Sequence, residues 1–258
     1  MTSRHQARFR LFAGPNGSGK TTLFDYLKQQ KVISTEIYNS PDRIEKDLKK
    51  RLRFNFNSYR VKVDDEEFRG FVQRHGLSAQ GKVSKKLLNG LQIKKGVLHV
   101  QKVHIRPRVA SYISSMISAY LTAKLFESGQ SFCLETVMSH RGKLDYFDEA
   151  FRHGYVSYLY FVYTDDVKIN IERVKERVKK KGHSVQPKKI RERYLRSFRN
   201  LKPAMALADK AFIVDNSSMT FETMLMLDRV RGRLSVRHPY PAWLKKYCDP
   251  LKYLSPLF

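Results

Sequence analysis

Acidic side chains are scarce in this sequence: 24 Asp and Glu stand against 50 Lys and Arg, a formal charge of +26. Such a balance turns the chain towards polyanionic partners, whether nucleotides, nucleotide sugars, nucleic acid or an acidic membrane surface. Charge alone does not choose among them, a plain solvated basic surface fits equally well, and no nucleic-acid recognition module is visible. Cysteine is nearly absent, with only Cys133 and Cys248 and no metal-ligand spacing around either. That excludes a disulfide-stapled scaffold or a cysteine-held metal, and fits a reducing compartment. Long apolar runs are missing too: the one behind the basic N-terminus stops at Phe12 and Ala13, too short for a signal-peptide core. No run reaches membrane-spanning length, so a cytoplasmic chain without a membrane span is expected. Internal repeats and low-complexity tracts are absent as well.

What is present suffices for a core. Hydrophobic residues make up 41% of 258 residues, with 16 Phe and 14 Tyr, which suits one domain, or one domain carrying an insert. Residues 8–13 read as a short strand and 21–30 as a helix, and between them Gly14, Pro15, Asn16, Gly17, Ser18, Gly19, Lys20 and Thr21 follow in succession. Glycines let such a loop turn its backbone N–H groups inward, while the next helix points its positive end the same way. In this strand–loop–helix context the residues form a P-loop for a nucleoside triphosphate. Lys20 is placed for the β- and γ-phosphate oxygens, and the Thr21 hydroxyl for Mg²⁺.

Further buried strands are expected at 131–134, 156–163 and 211–214, with helices at 110–128, 143–153 and 167–181. This alternation predicts an α/β fold of P-loop NTPase type, a mainly parallel sheet flanked by helices. Residues 51–108 break the rhythm with scattered Arg and Lys, an acidic run at Asp64 to Glu67 and a strand-like pair about Lys94, Lys95 and Gly96. They read as an inserted basic cap or arm with a hairpin. Beyond 231 the periodicity fades into an irregular tail broken by Pro239, Pro241, Pro250 and Pro256, with aromatic anchors Tyr240, Trp243 and Tyr253. The whole reads as a single domain over 1–258.

A P-loop does not by itself separate kinase, ATPase and GTPase. Asp42 follows the first helix, where it either accepts the proton of an acceptor hydroxyl or caps the helix beginning near Arg43. Glu135 and Thr136 end a buried strand at the carboxyl edge, where open α/β sheets bind ligands. Glu135 either holds substrate hydroxyls, reaches Mg²⁺ through water or caps the next helix. Arg173 and Arg177 lie four apart on one helix, followed by a basic turn and a second helix bearing Arg191, Arg193, Arg196 and Arg199. The pair, over about 173–200, resembles a kinase lid that brings cations to the transferred phosphoryl group. Asn216 follows the last strand, in a loop that lies beside the nucleotide base in many P-loop kinases or is a simple turn.

Together these residues resemble the zeta-toxin-like P-loop kinases. The resemblance rests on Gly14 through Thr21 with Thr22, then Asn39 to Asp42, Ser131 to Thr136, Gly182, His183 and Pro187 with Ile190, Arg193 and Tyr194, and finally Asp215 to Ser217. It spans most of 8–218 and leaves the insert and tail aside. It implies an ATP- and Mg²⁺-dependent kinase whose small-molecule acceptor is UDP-N-acetylglucosamine or something similar, with an antitoxin protein as partner. It also implies that Lys20 and Thr21 handle ATP and Mg²⁺, Asp42 is the base, Glu135 binds the acceptor, and Arg177 and Arg193 serve the lid. Two other readings stay open: a kinase acting on nucleic acid or another polyanion, docked by the insert, and a non-catalytic nucleotide-dependent binding or switch protein.

Overall fold

The computed structural model describes residues 6–101, 107–180, 182, 184–218, 220–237, 239 and 241–247. The expectations for His183, Tyr240, Cys248, Pro250, Tyr253 and Pro256 lie outside the described residues. In chain order the first elements are β1 (Arg8–Ala13), α1 (Lys20–Gln29), β2 (Tyr38–Asn39), α2 (Pro41–Arg51), β3 (Arg53–Asn55), α3 (Asp65–Arg74), α4 (Gly76–Ala79), α5 (Lys85–Asn89), β4 (Gln92–Lys94), β5 (Val97–His99) and α6 (Pro107–Glu127). There follow β6 (Phe132–Thr136), α7 (Asp145–Arg152), β7 (Val156–Tyr163), α8 (Val167–Lys179), α9 (Pro187–Arg199), α10 (Leu201–Leu207), β8 (Lys210–Asp215), β9 (Glu222–Asp228), β10 (Arg233–Val236) and α11 (Ala242–Tyr247). The chain divides into two compact units, one of Met1–Glu36 with Ser131–Phe258 and the other of Ile37–Gln130.

In the first unit the strands run in the order β10-β9-β8-β7-β1-β6. β1 pairs in parallel with both β6 and β7, and β7 in parallel with β8. β1 is central because it can be buried on both faces: Phe9, Leu11, Phe12 and Ala13 are fully buried, which is why the strand reads as a continuous apolar run. Phe12, Tyr160 and Phe212 stack in a row across β1, β7 and β8 with centroids 4.9 Å apart. The exception is Arg10, buried between Cys133 and Tyr158 in register, with its guanidinium 5.1 Å over the Tyr158 ring. Burial pushes the Cys133 thiol up to about 12, against the pull of Arg10, so this free cysteine packs as a small apolar residue. Since β1, β6, β7 and β8 are parallel, their carboxyl ends share one edge, with Ala13 opposite Thr136 and Tyr163 opposite Asp215.

The expected strands appear, 8–13 and 156–163 with unchanged bounds. The stretch from 231, expected to be irregular, instead begins with β10, which pairs antiparallel with β9, and ends its described part in α11. β9 itself was not expected; its Met- and Leu-rich sequence has no strand signal of its own, and it is held by antiparallel pairing with β8.

The second unit pairs β3, β5 and β4 antiparallel and packs α2 against α6. The hairpin expected at Lys94 to Gly96 is present, with Lys95 and Gly96 both at positive φ (50° and 75°), as a two-residue mirror-image turn requires. The acidic run is the start of α3, where the Asp64 side chain accepts from the Glu67 N–H at 3.0 Å and the carboxylates sit at the positive helix end. Phe56, Phe68 and Tyr120 form the aromatic centre of this unit.

Candidate functional site

The loop from Gly14 to Gly19 leaves the carboxyl end of β1 and enters α1 at Lys20. Two of its glycines are required by close approach. At Gly14 (φ 137°) a Cβ would stand 2.1 Å from the Val162 carbonyl oxygen, and at Gly17 (φ 79°) 2.5 Å from that of Asn170. The loop therefore packs backbone to backbone, and its shape is set before any ligand arrives. Asn170, fully buried on α8, donates to the Asn16 carbonyl oxygen at 2.9 Å, and Asn216 donates to that of Ser18 at 2.8 Å. The Ser18 hydroxyl is buried with no partner among the described residues.

Lys20 is 5% exposed and its ammonium donates to the carbonyl oxygens of Gly14 at 3.0 Å and Pro15 at 2.8 Å. Its Nζ also lies 3.9 Å from Glu135 Oε1. The other oxygen, Glu135 Oε2, accepts from the Thr21 hydroxyl at 2.9 Å. Glu135, on β6, thus lies against the phosphate loop, and the N-cap position of α7, the helix that follows, is held by Leu144. A triphosphate and Mg²⁺ fit these residues: a buried ammonium and an unpartnered buried hydroxyl suit phosphate oxygens. The Thr21 hydroxyl beside a carboxylate is a hard oxygen pair suited to Mg²⁺. Thr22, in the first turn of α1, is exposed.

The hydroxyl of Thr136 is engaged locally, accepting from the Met138 N–H at 3.1 Å, where Met138 has a positive φ of 54°. Arg193 on α9 reaches the loop directly: Nη1 donates to Asn16 Oδ1 at 3.3 Å. Arg173 on α8 holds the loop after β8, donating to the Asn216 carbonyl oxygen at 2.7 Å and that of Ser218 at 3.3 Å. Arg177, one turn further along α8, is half-buried and its carbonyl oxygen accepts from the Gly182 N–H at 2.9 Å. The first unit therefore gathers Lys20, Thr21, Glu135, Arg193 and Asn216 about one loop. Asn170 escaped the sequence reading, although a buried asparagine in the first turns of the helix after β7 was the available signal.

Asp42 stands in the second unit. Ser40 holds the N-cap position of α2, Pro41 follows, and Asp42 lies in the first turn, half-exposed. It is thus not the cap that one reading made it. Beside it, Asn39 is fully buried and donates to the Ser118 carbonyl oxygen and to Thr122 Oγ1, both at 2.9 Å, which fixes the entry to α2 on α6. Among the described residues no three His, Cys, Asp or Glu side chains form a metal-binding group, and no helix is long and apolar enough to cross a membrane.

A family model described as zeta toxin matches residues 78–223, more than half of the chain. The span holds Glu135, Thr136, Arg177, Arg193 and Asn216, begins after the phosphate loop and Asp42, and takes in the last part of the segment set aside as an insert. Among solved structures, the AvrRxo1-ORF1:-ORF2 complex with ATP is 14% identical with a TM-score of 0.56, covering 95% of this chain and 64% of that one. The same complex with sulphate ions is 15% identical with a TM-score of 0.55 and the same coverage. The chain thus spans a little under two thirds of the AvrRxo1 chain it matches. A structure from the PezAT chromosomal toxin-antitoxin system of Streptococcus pneumoniae is 12% identical with a TM-score of 0.51, covering 100% of this chain and 89% of that one. At such identities the likeness is one of fold. Comparison with curated proteins gives no match.

Proposed function

The chain belongs to the zeta toxin family, and from that premise we propose that it is a cytoplasmic, ATP-dependent P-loop kinase that moves the γ-phosphoryl group to a hydroxyl of a small, nucleotide-sugar-like acceptor. The observation that carries the reading is the joint contact of Glu135 with Thr21 and Lys20, while Arg193 touches the same loop. A plain switch needs the loop; cations and a carboxylate poised around it favour transfer.

In this reading the loop N–H groups and the Ser18 hydroxyl hold phosphate oxygens, and Lys20 exchanges its two loop carbonyls for the β- and γ-phosphate oxygens. Thr21 and Glu135 are the residues that would hold Mg²⁺, which would supply positive charge to offset that of the phosphates. Asp42 accepts the proton of the acceptor hydroxyl, whose oxygen attacks the γ-phosphorus as the bond to the β-phosphate oxygen breaks. Arg193 and Arg177 stabilise charge on the equatorial oxygens, and Asn216, with Thr22, lines the nucleotide side. Thr136 lies beside Glu135 on the acceptor side. An acceptor that is itself an anion, such as UDP-N-acetylglucosamine, suits a chain of charge +26. The family reading also brings a small antitoxin protein as partner.

The test is incubation with γ-labelled ATP and Mg²⁺ against a panel of nucleotide sugars, nucleosides and oligonucleotides, with Lys20→Ala alongside. Label appearing on one nucleotide sugar, and lost in the variant, is the expected result. Label on oligonucleotides alone would make the chain a nucleic-acid kinase; binding without transfer to anything would make it a switch.

A further inference from the structure

The tail, to which neither sequence motif nor family match assigns a role, supplies the aromatic backing of α9. Phe198 on α9 is ringed by Phe161 at 5.4 Å, Tyr194 at 4.8 Å, Trp243 at 4.8 Å and Tyr247 at 5.5 Å. Trp243 also meets Tyr163, at the end of β7, edge-on at 4.3 Å. We propose that Trp243, on the short C-terminal helix, is a positioning residue for Arg193, holding α9 where that arginine reaches Asn16 in the phosphate loop. The inference rests on the kinase reading of that loop.

Three features support it. First, α9 carries Lys188, Lys189, Arg191, Arg193, Arg196 and Arg199 against a single Glu192, so like charges within it repel and its place depends on its apolar side. Second, its other anchors lie elsewhere: Ile190 packs with Ile171 and Val174 of α8, Tyr194 donates to the Thr164 carbonyl oxygen at 2.6 Å and Ser197 to that of Val137 at 2.6 Å. Among the described residues, Trp243 and Tyr247 are the rings that reach Phe198 from outside the family span. Third, Trp243 bridges α9 to the site's own floor, since Tyr163 donates to Asp215 Oδ2 at 3.1 Å and Asp215 precedes the Asn216 that holds the loop. An arginine displaced by about 1 Å can lose up to about a hundredfold in rate, so a ring that fixes α9 acts on turnover at a distance.

The experiment compares Trp243→Ala, Trp243→Phe, Arg193→Ala and the Trp243→Ala/Arg193→Ala double variant, reading release of label from γ-labelled ATP with Mg²⁺, ATP binding, and thermal unfolding. The expected result is kcat down about tenfold in Trp243→Ala with KM for ATP little changed, restoration in Trp243→Phe, and a double variant no slower than Arg193→Ala alone. Effects that multiply in the double variant, or unchanged kcat in Trp243→Ala, would overturn the proposal while leaving Arg193 its role. Unchanged kcat in Arg193→Ala would instead remove the reading of that arginine, and the proposal with it. Should Trp243→Ala not fold, Trp243→Leu takes its place. Should label release be too slow to read, the emission of the chain's single tryptophan decides. It should change when Mg²⁺ and ATP are added and lose that response in Arg193→Ala; a response that persists in the variant, or none in the parent protein, overturns the coupling.

Discussion

Thr21 and Glu135, far apart in sequence, meet at 2.9 Å where α1 begins and β6 ends, the hydroxyl donating to the carboxylate. The same carboxylate lies 3.9 Å from Lys20. One acidic side chain is thus shared between the residue suited to Mg²⁺ and the residue suited to phosphate.

Glu135→Gln keeps an oxygen for Thr21 but removes the charge. Turnover should then require about 10- to 100-fold more Mg²⁺, with ATP affinity in the absence of metal little reduced. A Mg²⁺ titration of label transfer reads this directly; an unchanged midpoint would take Glu135 out of the metal's surroundings.

Gly14→Ala introduces a Cβ 2.1 Å from the Val162 carbonyl oxygen at a φ of 137°. Because the obstacle is backbone, the loop must move, at a cost of about 1–3 kcal/mol. A lowered melting temperature together with lost ATP binding is expected in calorimetry, and a variant matching the parent in both would show that the loop's shape is not what binds phosphate.

Asp42→Asn removes the proposed proton acceptor while the Ser40 cap of α2 stays in place. Turnover should fall about 10²- to 10⁴-fold without loss of ATP binding or melting temperature. Single-turnover label transfer at several pH values checks it: full activity would assign proton removal elsewhere.

Asp65→Ala tests the second unit by itself. Its carboxylate accepts from the Ile93 N–H at 2.6 Å and from Arg69 Nε at 2.7 Å, tying α3 to β4. Burial raises its carboxyl, but those two donors outweigh it and hold it below the usual carboxylate range. A depressed carboxyl stabilises above its unfolded value and loses that contribution as the pH falls through its folded value. The variant should therefore be less stable by about 1 kcal/mol at neutral pH, the group being partly screened by solvent, and the difference should vanish well below about pH 4. Denaturant melts at pH 7 and pH 3 decide it; a difference that is equal at both would mean that charge plays no part.

The phosphate loop, the central strand and the strand that carries Glu135 were legible because each is a local pattern. Glycines at fixed intervals, an apolar run and a lysine next to a threonine need only their neighbours to be read. The segment 51–108 was legible only in part: its hairpin shows as two short β-like runs about Lys95 and Gly96, whereas α4 and α5 are short helices with little period. β9 and β10 were missed because an antiparallel extension is specified by the strand it joins, β8 for β9 and β9 for β10, more than by its own sequence.

The sequence by itself determined that this chain has a loop built to hold phosphate, since backbone freedom at Gly14 and Gly17 and the start of α1 are properties of adjacent residues. Only the tertiary structure decided that Glu135 serves Thr21 instead of capping a helix, that Arg193 reaches Asn16, and that Trp243 backs α9. Those contacts join residues distant along the chain. Closing such loops costs entropy that no local pattern records, and only the packed sheet and its helices offset it.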